Sequence, residues 1–429
     1  MHSDRATPRR PSTLRAALGP GLLMAGAAVG VSHLVQSTRA GAEYGLALVG
    51  VVLVACVLKY PFLEFGPRWA AATGEDLIRG YRRMGRVPLG LFAFITVTTM
   101  FIVLAAVTLV TAGLAGALFG LDASVPVLAA AVLVLCAAIL AVGHYRGLDL
   151  LMKVIMAVLA AATLVAVGLA AGQHPDWGAL APGWTEAGLM SGTGLAFMLA
   201  LLGWMPIPLD GAAWHSVWTL ERARETGTDP SLQHAGLDFA LGYVGAVVLA
   251  IAFMLLGALV MFGTERTLAG SAVEFSTQLA DLYAQSLGAW ARPLIGFAAL
   301  ATMLSTTLTV ADAYPRVLRS LLELRDPDPQ AHARQHRARY LAGMAVTMVG
   351  AWLIIALFGR QFTLLIDFTT TVSFLAAPVL AWLNLKLLSG PLTPAAARPG
   401  PVTMWTARAG LLFLVAFCTL WLWIRVQGF

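Results

Sequence analysis

Apolar blocks of roughly 20 residues, separated by short polar connections, recur along the whole chain, and each is long enough to cross a bilayer as a helix. The spacing predicts eleven spans, over 17–42, 45–66, 89–118, 123–142, 148–171, 190–219, 236–262, 290–318, 339–359, 363–388 and 404–425. Two of them are not uniformly apolar. Span 6 contains Leu202-Gly-Trp-Met-Pro-Ile-Pro-Leu-Asp-Gly-Ala-Ala-Trp-His-Ser216, with two prolines and a carboxylate at membrane depth. Pro206 and Pro208 lack a backbone donor and fix φ, so an unbroken helix is not expected there. Backbone freed at that depth survives only where it lines a cavity or is buried in protein. Asp210 beside such a break is a candidate site acid. The competing reading is a structural kink with Asp210 satisfied by a neighbouring helix.

Span 1 has the second interruption. Its middle is rich in Gly and Ser, around Gly30 and Ser32, and turns polar through His33, Gln36, Ser37, Thr38 and Arg39. Five spans separate the starts of spans 1 and 6, and an odd step means that the two enter the membrane from opposite faces. Interrupted helices at matching positions in two oppositely oriented halves are the sequence signature of an inverted-repeat secondary transporter. The chain then divides into a basic tail (1–16), a first five-helix repeat (17–171), an external loop (172–189), an inverted second repeat (190–388), a Pro-, Ala- and Gly-rich flexible linker (389–403) and a peripheral eleventh helix (404–429).

Composition agrees. The 429 residues are 59% hydrophobic and 12% charged, with a mean hydropathy of +0.79, whereas soluble chains are about a quarter charged. A net charge of +6 would suggest nucleic acid in a soluble protein. Here topology accounts for it: Arg68, Arg79, Arg82, Arg83 and Arg86 fall in one loop and Arg319, Arg325, Arg334, Arg337 and Arg339 in another. Loop 172–189 has no Lys or Arg and holds Asp176 and Glu186, so the positive-inside rule places the N-terminus in the cytoplasm. The expectation is an integral protein of the inner (plasma) membrane, with lipid and a small transported ion or solute as its partners and no nucleic acid. Connection 263–289, with Glu265, Glu274 and Asp281 against Arg266, then lies outside, and 270–287 reads as a short surface helix. Cys56, Cys136 and Cys418 are widely spaced within spans and read as packing residues.

At span 1 the chain resembles the Nramp family of divalent-metal transporters. Gly19-Pro-Gly-Leu-Leu is followed 20 residues later by Arg39-Ala-Gly-Ala-Glu-Tyr-Gly45, with no gap between. In span 6, His215-Ser216 is similar to the family's His-Ser pair. The resemblance implies a leucine-transporter-type fold, an all-α polytopic membrane protein of two inverted five-helix repeats with helices 1 and 6 broken. It also implies cargo bound between those breaks, with alternating access as the mechanism.

The departures concern chemistry. The family's Asp-Pro-Gly-Asn falls on Gly30-Val31-Ser32-His33, and its Met-Pro-His on Pro208-Leu209-Asp210. Aligning on Met205-Pro206 instead keeps the thioether but needs a gap. Carboxylate, carbonyl and water oxygens suit hard cations, whereas a thioether selects softer metals. The substrate-binding candidates are therefore Gly30, Ser32, His33, Gln36, Pro208, Asp210 and Asp367, with Asp210 and His33 as candidate metal ligands. Asp367 reads equally as a helix-entry cap. His215 is the candidate proton carrier, because imidazole titrates near neutral pH, and reads equally as a satisfied core histidine. Arg39 and Glu43, an i,i+4 pair, are gate candidates or a structural ion pair. Asp312 is expected to pair locally with Arg316, Lys59 and Glu64 to snorkel from the cytoplasmic end of span 2, and His144 to lie solvated in a loop. Span 3 (89–118) and span 9 over 340–358 contain no Asp, Glu, His, Lys or Arg, so the family's proton route is absent as written.

The leading expectation is a secondary-active or facilitative transporter of a small, divalent metal cation. The alternatives are a transporter of a small organic zwitterion or anion on the same fold, and a non-transporting sensor. No catalytic motif such as HExxH or GxSxG occurs, so neither an enzyme nor a cofactor is expected; a divalent cation enters as cargo.

Overall fold

In a computed structural model, residues 10–11, 19–142, 146–173, 176–229, 231–264, 269–324 and 329–427 are described. Most of the basic tail, His144, Glu265 and Arg266 lie outside them. The described chain is almost entirely helical, apart from a two-residue parallel bridge between Arg10–Pro11 and Thr228–Asp229. In order, the helices are α1 (Pro20–Ala28), α2 (Thr38–Tyr44), α3 (Val49–Thr73), α4 (Leu77–Met84), α5 (Arg86–Phe119), α6 (Val125–Val142), α7 (Arg146–Gln173) and α8 (Gly192–Trp204). Then come α9 (Gly211–Thr226), α10 (Leu232–Met261), α11 (Ala272–Leu287), α12 (Ala291–Glu323), α13 (Pro329–Phe358), α14 (Phe362–Ser389) and α15 (Pro401–Gln427). Among the described residues nine of these (α3, α5, α6, α7, α10, α12, α13, α14 and α15) are long and apolar enough to cross a membrane unbroken. The stretches expected as spans 1 and 6 are each split in two.

Burial sorts the helices into an inner and an outer set. α5 and α12 are largely enclosed, whereas α7, α13 and α15 turn much of their apolar surface outward. In lipid the tails are as apolar as leucine, so helices associate through close backbone contact and hydrogen bonds rather than through hydrophobic burial. Glycine supplies the contact here. A Cβ on Gly41 of α2 would lie 1.9 Å from the Met254 carbonyl oxygen of α10, and one on Gly257 of α10 would lie 2.3 Å from that of Thr38. At the other end of the same pairing, Asp238 of α10 accepts from the amides of Gly19 (3.1 Å) and Gly21 (2.6 Å), satisfying the start of α1. Both halves of the first broken element are thus fixed to α10.

The surface helix expected over 270–287 is α11. It buries Phe275, Leu279, Leu282 and Tyr283, and the Tyr283 hydroxyl lies 2.7 Å from that of Thr163 on α7. The linker is tied down rather than slack: a single 3₁₀ turn, Ala395–Ala397, receives Arg68 on the Ala397 carbonyl at 3.4 Å. The three cysteines are free and buried.

If the Gly contacts set the α2–α10 spacing, Gly257→Val should force the helices apart. Overpacking of this kind costs about 1–3 kcal/mol, and the expected result is a lower melting midpoint in detergent. Gly245→Val on the same helix, where a Cβ meets nothing within 4 Å, is the control and should melt like the parent.

Candidate functional site

The first break is short. α1 ends at Ala28, Val29 turns out of helical geometry (ψ 66°), and the chain rewinds through a wider, π-type segment, Ser32–Ser37, before α2. The freed carbonyls are met by hydroxyls. Ser32 donates to Ala28 at 2.6 Å, and Thr306 of α12 lies 2.8 Å from the Gly26 oxygen and 3.4 Å from that of Val29. Gly30 is where α12 comes nearest, since a Cβ there would stand 2.7 Å from the Thr306 methyl.

The second break covers residues 205–210, between α8 and α9. Pro206 has no N–H to reach back to Leu202, and Pro208 none for Trp204, so α8 ends with unmet carbonyls. The two breaks touch: the Ser37 hydroxyl lies 3.6 Å from the Met205 sulfur. Asp210 closes the second break. Its Oδ2 accepts from Thr99 of α5 at 3.0 Å and Tyr314 of α12 at 3.3 Å, while Oδ1 has no hydrogen-bond partner among the described residues. Pro208 is buried, and its carbonyl accepts from Gly211 at 3.0 Å.

The other candidates separate into different neighbourhoods. His33 and Asp210 share no hydrogen-bond partner among the described residues. The His33 Nε2 lies 2.8 Å from the Ala246 carbonyl of α10 and its Nδ1 2.8 Å from the Ser32 hydroxyl, so both ring nitrogens are engaged. Among the described residues no three His, Cys, Asp or Glu side chains converge as a metal site. Gln36 and Asp367 do come together, but with Arg39. The Arg39 guanidinium donates to Asp367 at 2.7 Å, to Gln36 at 3.2 Å and to Glu43 at 3.4 Å, and it stacks 4.9 Å over the Phe197 ring. Gln36 adds a bond to Asp367 at 3.1 Å and another to Thr370 at 3.3 Å. This cluster spans the end of the bundle near Tyr44, joining α2 to α14.

His215, in α9, is buried without a hydrogen bond at either ring nitrogen among the described residues. Its Nε2 stands 3.9 Å from Asp238, the carboxylate that holds the start of α1. A fully satisfied core histidine is therefore not what the fold contains. At the Glu221 end of the bundle a second ionic cluster joins α9 to α12. Glu221 receives Arg319 at 3.0 Å and Arg316 at 3.5 Å, and Arg316 reaches Asp312 at 2.6 Å, as its i,i+4 spacing implied. Tyr340 also donates to Asp312, at 2.7 Å. The α4 helix seals this end, with the Leu77 amide on Ser216 and the Ser320 hydroxyl on Asp76.

Lys59 and Glu64 do not snorkel. Glu64 is buried and takes the Arg68 Nε on both oxygens at 2.8 Å. Lys59 is wholly enclosed, its Nζ among the carbonyl oxygens of Leu202, Gly203, Met205 and Ile207. With the helix running from Val49 to Thr73, Lys59 lies 10 residues in, too deep to reach the interface. Asp238, Thr99 and Tyr314 had no signal in the sequence, since hydroxyls and an acid near a span's start are ordinary there.

With this geometry in view, comparison with known proteins is informative. The family described as natural resistance-associated macrophage protein-like, Nramp, matches residues 21–424. The chain belongs to the Nramp family. It is therefore an integral membrane transporter, not an enzyme, handling a small solute. An uncharacterized protein of Pasteurella multocida is 35% identical over 411 residues, covering 95% of this chain and 92% of the relative. A mutant of the Eremococcus coleocola manganese transporter superposes with a TM-score of 0.72 at 15% identity, over 96% of this chain and 88% of that one. MhsT in complex with L-phenylalanine gives 0.63 at 14% identity, over 96% and 100%. These likenesses fix a leucine-transporter- and Nramp-like fold and leave cargo to the residues at the breaks.

Glu221 lies past the expected end of span 6, and its titration is open to test. Burial alone would raise its carboxyl; Arg316, Arg224 and Arg319 more than offset this and hold it below the usual value of 4.5. A depressed carboxylate contributes stability that is complete above pH 4.5 and is lost as pH falls through its lower folded value. Glu221→Gln should thus lower the melting midpoint at pH 7, by the equivalent of about 1.5–3 kcal/mol. The gap to the parent should close below pH 4.5 in a thermal scan across pH 3–7; a gap constant with pH would contradict the assignment.

Proposed function

We propose that this Nramp-family chain moves a small cation by alternating access, with cargo held where the two broken helices meet. Eleven crossings follow when the split elements 20–44 and 192–226 are each counted as one and added to the nine unbroken helices. The reading takes 17–171 and 190–388 as two inverted five-helix repeats, with 172–189 as the external loop between them, 389–403 as a linker and 404–429 as a peripheral helix. The N-terminal tail (1–16) lies in the cytoplasm and the protein sits in the inner membrane, as the arginine distribution argues.

The observation that carries the proposal is the contact between the breaks, beside a buried carboxylate with one oxygen left over. Ser37 meets Met205 there, and Asp210 Oδ1 is free to receive a cation. Ser32, Gln36, Pro208 and the backbone at Gly30 supply the remaining polar lining, and the Met205 thioether adds a softer donor that the gapless alignment had set aside. Arg39, Glu43 and Asp367 act as the gate at the Tyr44 end, and Glu221 with Arg316 and Arg319 as the gate at the other. His215, 3.9 Å from Asp238, is the proposed charge carrier, and its protonation would draw on the group that anchors α1. His33 serves here as a brace on α10 rather than as a ligand.

One observation favours a second cargo. Divalent ions take several oxygen ligands, and among the described residues Asp210 belongs to no group of three or more His, Cys, Asp or Glu side chains that could hold a metal. A small zwitterion, its amine on Asp210, fits that single charge. Purified protein in liposomes should take up at least one of Mn²⁺, Mg²⁺ and Ca²⁺ at ten or more times the rate of Asp210→Ala. Equal rates for all three metals would sink the metal version, and thermal stabilisation by an amino acid but by no metal would establish the second.

A further inference from the structure

Lys59 makes no contact with the proposed cargo, yet it is a costly side chain to bury. It is wholly buried near the middle of α3. Among the described residues no carboxylate is within ion-pair distance of it. Its ammonium is held by carbonyl oxygens alone: Met205 at 2.8 Å, Leu202 at 3.1 Å, Gly203 at 3.2 Å and Ile207 at 3.2 Å. Three protons are shared among four acceptors. A buried charge without an opposite charge persists only where something else repays its lost hydration.

What repays it is specific to the break. Leu202 and Gly203 end α8, where aligned peptide dipoles leave partial negative charge. Pro206 cannot supply the N–H that would otherwise close on Leu202. Met205 and Ile207 lie in the unwound stretch itself, their oxygens turned to the same point. In transporters, unwound carbonyls together with a half-helix C-terminus are how a monovalent coupling ion is coordinated. The chain has such a nest of oxygens and fills it with its own side chain.

We propose that Lys59 is a resident, tethered monocation occupying a carbonyl site built by the helix 6 break. It is a positioning residue. By gathering the oxygens of 202, 203, 205 and 207 it sets the path of the six residues that end at Asp210. It does so permanently, so the break keeps its shape through the cycle with no dissociable ion in that nest. The same four oxygens are withdrawn from cargo, which must find its ligands at Asp210 and helix 1. The inference rests on the fold and not on the cargo, so failure of the transport reading would leave it standing.

The test is chemical rescue, read as melting midpoint in detergent. Lys59→Ala vacates the nest and should melt several degrees below the parent. Methylammonium chloride, small enough to enter, should raise that midpoint in a saturable way, and N-methyl-D-glucamine chloride at equal ionic strength should not. Neither salt should shift the parent or Lys59→Met, whose side chain fills the space without charge. Lys59→Met should itself melt below the parent, and it decides the question alone if the alanine variant cannot be purified. A Lys59→Met protein as stable as the parent, or an alanine variant that responds equally to both salts or to neither, overturns the proposal.

Discussion

A helix that unwinds inside a bilayer must find partners for its carbonyls within the protein, because no water is at hand to take them. This chain unwinds twice, and the rest of the structure is arranged around that debt. At the first break Ser32 and Thr306 meet the oxygens of Ala28, Gly26 and Val29; at the second, Lys59 meets those of Leu202, Gly203, Met205 and Ile207. Each group left bare would cost several kcal/mol, so a handful of failures would match the roughly 5–15 kcal/mol of a whole domain. Ser32 is local to its break, and the partners from elsewhere, Thr306 and Lys59, come from α12 and α3. The glycine contacts of α2 and α9 follow from the same need, since these half-helices must lie close to whatever satisfies them; a Cβ on Gly66 of α3 would stand 2.1 Å from the Ala212 carbonyl of α9.

The breaks themselves were legible in the sequence, and for a physical reason. Proline and glycine alter the backbone locally, so Pro206, Pro208 and Gly30 announce an interruption whatever surrounds them. The i,i+4 pairs were legible too, because a helix fixes their spacing: Arg39–Glu43 and Arg316–Asp312 are present. Partners from distant helices were not. Asp367 was read as a ligand or a cap, and its neighbour proved to be Arg39, 328 residues away in sequence. Lys59 was misplaced through an error of register. The span was expected over 45–66, which sets residue 59 near its end; the helix runs from Val49 to Thr73 and sets it near the middle. A shift of a few residues at a boundary turned a buried cation into an interfacial anchor.

The two ends of the bundle are closed by different chemistry. Near Tyr44 one guanidinium gathers Gln36, Glu43 and Asp367, and the Asp367 side chain is one-third exposed. At the Glu221 end two arginines, a shared glutamate and the α4 helix form a wider seal. Both are networks, in which each charged group is held by several bonds at once. At the Glu221 end α9 is tied to α12, and α12 also reaches Asp210 through the Tyr314 hydroxyl.

At the proposed site, cargo is a matter of charge at the breaks. Helix 6 carries one formal negative charge at Asp210 and receives one positive charge from Lys59, so the second break is neutral before anything binds. A dehydrated divalent ion entering there recovers its hydration from one carboxylate oxygen and neutral dipoles, against a fixed ammonium that repels it. A singly charged or zwitterionic solute meets a smaller deficit, since its lost hydration is less and Asp210 alone can balance its charge. A divalent cargo must therefore keep much of its water shell and draw on helix 1 for oxygens, at Ser32, Gln36 and the unwound backbone. What selects between them is whether helix 1 can supply the charge that Lys59 cancels on helix 6, and its only carboxylate, Glu43, is already paired with Arg39.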